Sequence, residues 1–413
     1  MNTVDGDREL ARILRHSPRS MNHISRRELL RRAGIGAGAL SASALLAACG
    51  IGSEAERTDG EKEAALTTTE KTGELVFANW PAYIDKAKGE SPTLLQFEEQ
   101  TGIDVSYEED INDNLSFFSR IREPLANDQS SGYDIIVVTD WLIAKMIGLG
   151  YLEKLDHSHL ENFATHAGEI YKDPSYDPNN AHSVPWQSGI TGIAYNLSLT
   201  KREITSVEDL FDPQFEGQVG MMTEMRDTMN LVMLGMGIDP ETASIEDAEA
   251  AQQKLLDQRE EGIVRKYYGN DYVGPLASGD LALTMAWSGD VLGKTIGNPD
   301  IKFAVPEEGG ILWVDNMAIP EGAEHPIDAH LMMDFVYQPE IAAQMTAWIN
   351  YISPVPEAQD ILKDAKDSYT RKVASSPLVF PTPDMEARLH HYKNLTPEEE
   401  EQWNEFFDEV VQG

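Results

Sequence analysis

Tyr133-Asp134-Ile135-Ile136-Val137-Val138-Thr139-Asp140-Trp141 sets an unbroken apolar run between acidic residues. A run this short, with no polar alternation, predicts a strand covered on both faces. Residues 141–149 predict a helix, ended by Gly150. A buried strand feeding straight into a helix is the unit of an α/β protein. The chain repeats that unit from Glu74-Leu75-Val76-Phe77 onward, where the folded body is expected to begin. Ser91-Pro92 opens a helix with Leu94, Leu95 and Phe97 inward, stopped at Gly102, and a strand is expected over 103–107. Ser244 caps a helix reaching to about 261, and Pro339 begins another after the segment 327–337. Thr396-Pro397 caps a last helix whose Trp403, Phe406, Phe407 and Val410 recur at helical spacing, a core-packing stripe. No repeat of 20–50 residues interrupts this pattern.

The 413 residues are 41% hydrophobic, enough for about two to three domains or one large two-lobed body, which excludes a disordered chain. The formal charge is −37. A surface this acidic repels phosphate backbones, so nucleic acid is excluded as a partner and polycations are favoured. One cysteine, Cys49, excludes an internal disulfide and any Cys-rich metal site.

The charge is uneven. Residues 1–48 hold eight arginines against four acids, a net of +4, which leaves 25 basic and 66 acidic side chains, or −41, for the rest. Ser25-Arg26-Arg27-Glu28-Leu29-Leu30-Arg31, then fourteen small and apolar residues over 33–46, read as a secretory signal too short to span a bilayer comfortably. Its paired arginines resemble the twin-arginine export signal. Leu46-Ala47-Ala48-Cys49 resembles a lipoprotein box, with Cys49 as the lipid attachment site. Met21 makes a conventional start for such a signal. Gly34-Ile35-Gly36-Ala37-Gly38 lies inside it and is no nucleotide fingerprint. Residues 49–73 read as a flexible tether.

The most informative feature lies at six places where apolar runs end in aromatic and acidic residues. They are Phe77-Ala78-Asn79-Trp80-Pro81-Ala82-Tyr83, Val138-Thr139-Asp140-Trp141, Met222-Thr223-Glu224-Met225-Arg226-Asp227, Ala286-Trp287-Ser288-Gly289-Asp290, Leu312-Trp313-Val314-Asp315 and Trp348-Ile349-Asn350-Tyr351. In open α/β sheets ligands bind beyond the carboxyl ends of the strands, so these residues are expected to converge on one cleft. Ring faces attract ammonium groups, each contact contributing about 0.5–2 kcal/mol. Carboxylates accept their N–H donors in strong bonds. A cleft so lined suits an elongated organic cation.

At these residues the chain resembles the spermidine/putrescine-binding proteins of ABC transporters. The resemblance runs from about 74 to about 356, carried by Asn79-Trp80-x-x-Tyr83, Tyr133-Asp134, the segment 185–196, Glu307-Glu308-Gly309-Gly310-Ile311-Leu312-Trp313-Val314-Asp315 and Asn350-Tyr351. It implies that Trp80, Tyr83, Trp287, Trp313 and Tyr351 form aromatic walls and that Asp315 is the central amine-binding acid. Glu224 and Asp227 stand where the family has its own i, i+3 acidic pair in the reverse order. Trp141 replaces a tyrosine, Thr139 a serine and Pro81 a polar residue, and a family glutamine near the C-terminus has no evident counterpart.

The resemblance implies a two-lobed, type II periplasmic-binding-protein-like α/β fold. One lobe is expected at 74–188 plus 313–353 and the other at 189–312 plus 354–413, with the ligand cleft between them. It implies a monomer that delivers a polyamine to a membrane permease driven by a separate ATPase, with no chemistry on the ligand and no cofactor. A Walker loop, a Gly-x-Ser-x-Gly elbow and a His-Glu-x-x-His motif are all missing, and His390-His391, adjacent on an expected helix, read as a surface pair. Three competing readings remain: a same-fold binder of another organic cation such as a quaternary ammonium, a secreted carboxylate-pair hydrolase, and a non-transport sensor.

Overall fold

The computed structural model describes residues 70–412; the expected export signal, Cys49 and most of the tether lie outside the described residues. Among the described residues ten strands form one mixed sheet: β1 (Glu74–Ala78), β2 (Asp104–Glu108), β3 (Ile135–Thr139), β4 (Ser183–Asn196), β5 (Val219–Met222), β6 (Val264–Tyr268), β7 (Leu283–Trp287), β8 (Ile301–Ala304), β9 (Gly310–Ala318) and β10 (Leu389–His390). The order is β2-β1-β3-β9-β4-β7-β5-β6, with β10 beside β9 and β8 beside β4.

The sheet contains two parallel groups. β1 pairs in parallel with β2 and β3, and β5 pairs in parallel with β6 and β7. Between them β9 and β4 run antiparallel to each other and to the flanking strands β3 and β7. The two groups therefore point toward one another. The carboxyl end of β3 reaches Thr139, opposite Asp315, which in turn lies opposite Gln187 of β4. The carboxyl end of β7 reaches Trp287, opposite Thr191 of the same strand. Only Ser188, Gly189 and Ile190 separate the two meeting points. The residues at which the sequence divides the chain, Gly189 and Trp313, are cross-strand neighbours in this stretch.

All fourteen residues of β4 are buried, as a strand covered on both faces requires. Helix ends follow their capping residues. The Ser91 side chain caps Pro92–Thr101, which ends on Gly102 in the left-handed conformation at φ 70°. Ser244 and Asp247 form a reciprocal capping box at the start of Ile245–Glu260. Trp403, Phe407 and Val410 bury one stripe of Pro397–Gln412.

Four expectations need correction. Leu95 is 46% exposed rather than inward, because Thr93 and Phe97 already fill the buried face of its helix. Trp313 and Asp315 lie mid-strand, since β9 continues to Ala318 to pair with both β3 and β4. Trp348-Ile349-Asn350-Tyr351 ends a helix, Pro339–Ile349, not a strand; Asn350 closes it at φ 65° and leaves Trp348 half exposed. His390 belongs to β10, held against β9, with its Nδ1 3.6 Å from an Asp239 carboxylate oxygen.

Candidate functional site

Where the carboxyl ends of the two parallel groups meet, a cavity of about 510 Å³ opens. All ten residues singled out from the sequence line it: Trp80, Tyr83, Thr139, Trp141, Glu224, Asp227, Trp287, Trp313, Asp315 and Tyr351.

Five aromatic side chains form a continuous wall. Trp80 contacts Trp287 and Trp287 contacts Trp313, each with ring centroids 6.5 Å apart and steeply crossed planes. Trp313 meets Tyr351 at 5.3 Å, and Tyr351 meets Tyr83 at 5.5 Å. Each such pair contributes about 0.5–1.5 kcal/mol beyond its buried area. Two glycines make room for Tyr351. A Cβ on Gly189 would stand 2.3 Å from the Trp313 ring and 2.8 Å from Tyr351, and one on Gly289 would stand 2.5 Å from Tyr351.

The acids are tied into this wall. Asp315 accepts from Tyr83 Oη at 2.9 Å and from Thr139 Oγ1 at 2.7 Å, and Asn114 Nδ2 donates onward to Thr139 at 2.9 Å. Glu224 precedes the helix Met225–Gly235 and accepts from the backbone N–H of Asn114 at 3.1 Å. Asp227, in the first turn of that helix, accepts from Tyr392 Oη at 2.9 Å, from Trp287 Nε1 at 3.4 Å and from Thr191. Negative side chains are favoured at such a helix start.

A family profile described as bacterial extracellular solute-binding protein matches residues 130–375. The chain belongs to that family. Relatives of this solute-binding protein include the spermidine/putrescine-binding periplasmic protein 1 of Haemophilus influenzae. It is 26% identical over 333 residues, covering 80% of this chain and 87% of that protein. The spermidine/putrescine-binding periplasmic protein of Escherichia coli is 28% identical over 291 residues, covering 70% and 79%. Among solved structures, a putative spermidine/putrescine ABC transporter from Listeria monocytogenes superposes with a TM-score of 0.73 at 27% identity, covering 82% of this chain and 99% of that one. The α/β fold is that of the type II periplasmic binding proteins. The chain is a binding component of transport and not an enzyme.

The solute-binding protein's cavity holds a fourth acid that sequence reasoning did not select, Asp290. It accepts from Tyr351 Oη and Tyr272 Oη, both at 2.9 Å, and Tyr272 in turn accepts from the backbone N–H of Trp287. The signal was present, since Asp290 follows Trp287 by three residues in a quoted strand end. Asn114, Asn270 and Tyr392 also line the cavity. They come from loops and element starts, which carry no periodic signal.

Burial sets the electrostatics of the solute-binding protein's cleft. It pushes Asp315 up to about 7 against the two hydroxyl bonds that favour its charged form. Asp227 is pushed up to about 6 by burial, opposed by its bonds from Thr191, Tyr392 and Trp287. Glu224 is raised well above the usual carboxylate range by burial and then by the charge of Asp113. Burial also raises Asp290, against the Tyr351 and Tyr272 bonds. Among the described residues, no Lys or Arg lines the cavity. Arg226, which is buried, does not line it and holds its guanidinium 5.1 Å from the Trp141 ring centroid.

Proposed function

We propose that this cavity captures a linear polyamine, spermidine or putrescine, and delivers it to the membrane permease of an ABC transporter. One observation carries the reading: a cavity walled by aromatic rings and lined, among the described residues, by four acids and by no basic side chain. Ring faces and carboxylates together match a chain of methylenes bearing ammonium groups. Trp80, Tyr83, Trp141, Trp287, Trp313 and Tyr351 sandwich the methylenes. Glu224, Asp227 and Asp315 neutralise the ammonium groups, with Thr139 holding Asp315. The spermidine/putrescine-binding names of the Haemophilus and Escherichia relatives support the same ligand class.

The two lobes, 74–188 plus 313–353 and 189–312 plus 354–413, hinge where β4 and β9 run side by side and close over the amine. The protein acts as a monomer, exported by a twin-arginine signal and anchored by lipid on Cys49. Titration calorimetry of the purified protein with spermidine and putrescine tests the reading. Saturable heat from at least one is expected, and a folded protein that gives heat with neither refutes it. Mass spectrometry of the membrane-extracted protein tests the anchor; an unmodified Cys49 would remove it.

A further inference from the structure

The face of β4 that underlies the cavity carries one residue that none of these contacts use. Gln187 is fully buried, and neither its Nε2 nor its Oε1 has a hydrogen-bond partner. It lies directly opposite Asp315 in the β4–β9 register. Directly opposed residues of an antiparallel pair share a face, with Cβ atoms about 4.5–5.5 Å apart. Two neighbours fix which face this is. A Cβ on Gly189 would run into Trp313 and Tyr351, and the Thr191 hydroxyl reaches Asp227. Gln187, Gly189 and Thr191 therefore share the face of β4 that lies directly behind the lining residues Asp315, Trp313 and Asp227, without themselves reaching the cavity surface.

A buried carboxamide with both atoms unpaired costs stability in the ligand-free protein, and a cost kept in a binding site is explained when the ligand supplies the missing partner. Asp315 accepts two bonds, from Thr139 and Tyr83, and a carboxylate has about four acceptor positions. We propose that Gln187, behind Asp315, becomes a ligand-binding residue when the amine enters: its Oε1 accepts an N–H bond from the same ammonium group that Asp315 neutralises. Its Nε2 then donates to a free Asp315 lone pair, so both unpaired atoms are satisfied together. This rests on the polyamine reading and sharpens it to primary and secondary ammonium groups. An aromatic box alone accepts a quaternary ammonium equally well. A buried acceptor that needs N–H rejects one.

The test is calorimetric titration of the full-length protein with putrescine and with its bis-quaternary analogue, in which each nitrogen carries three methyl groups. Wild type, Gln187→Leu and Gln187→Met are compared. The wild type is expected to prefer the amine by at least about tenfold. The variants, close to Gln in volume, should lose most of that preference through weaker amine binding. Their ligand-free thermal midpoint should stay or rise. A wild type with no preference, variants that keep it, or equal weakening of both ligands would overturn the inference while leaving the polyamine reading intact. A wild type that binds neither putrescine nor spermidine overturns that reading itself.

Discussion

Tyr83 and Tyr351 pack edge to face at 5.5 Å, yet their hydroxyls donate to two different carboxylates, Asp315 and Asp290. Neighbouring rings are thus anchored to separate acids. Negative charge is spread along the wall instead of gathered at one point, as an extended cation requires.

Asp315 stands at the centre of this arrangement, opposite both Thr139 and Gln187. Asp315→Ala removes the charge and leaves the Tyr83 and Thr139 hydroxyls without their acceptor. Polyamine affinity should fall by at least about 2 kcal/mol, because an ammonium group is left unpaired in a buried site. Calorimetry reads this directly, and an unchanged affinity would take Asp315 out of the site.

The raised acids make binding depend on pH. An ammonium ligand favours the ionised forms of Asp315, at about 7, and Asp227, at about 6, so binding releases protons below those values. Affinity should therefore rise between about pH 5 and 8. Ligand-free stability should move the other way. A carboxyl raised in the folded state holds more protons there than in the unfolded chain, so its contribution declines as pH rises from the ordinary carboxylate range to about 7. Melting curves with and without spermidine across this range check both signs; a ligand-induced shift independent of pH would contradict them.

The two small residues under Tyr351 set the width of the cleft. Gly289→Ala would place a methyl 2.5 Å from the Tyr351 ring and Gly189→Ala one 2.3 Å from Trp313. Those walls are packed from behind, so the rings must shift into the cavity. Each variant should lose more than about tenfold in polyamine affinity, since displaced contacts in a packed site cost about 1–3 kcal/mol. Affinity equal to wild type in a folded Gly289→Ala would show that the wall is not rigid.

The acidic residues of the cleft are few. Four line the cavity, while residues 49–413 carry a net of −41, so most of the charge serves the outer surface. Self-repulsion in a shell this dense is relieved by salt. Thermal midpoint and solubility should both rise from dilute buffer toward about molar salt. A midpoint and solubility already at their maximum in dilute buffer would show that the surface charge imposes no such cost.

Much of this was legible in the sequence because the relevant residues sit where periodic elements stop. Thr139, Glu224 and Trp287 each adjoin the end of an apolar run, and the same runs that fix β3, β5 and β7 therefore fix where those side chains emerge. Asp315 was found for its acid and aromatic neighbours, although its placement mid-strand was not foreseen. That placement depends on β9 pairing with strands 120 and more residues away in sequence, a long-range choice that no local pattern encodes. Tyr392 enters from a loop and Asn114 from the first position of the helix Asn114–Ala126, where no periodic pattern marks them. Gln187 was invisible because a polar residue in an apolar run gives no hint that its amide stays unpaired.

The most direct measurement is a crystal structure grown with spermidine. The account predicts the amine in the cavity between Trp287 and Tyr351, with one nitrogen within hydrogen-bonding distance of Asp315 and others facing Asp227 or Glu224. An empty cavity in crystals that hold spermidine elsewhere, or an amine whose nitrogens meet none of these acids, would contradict it.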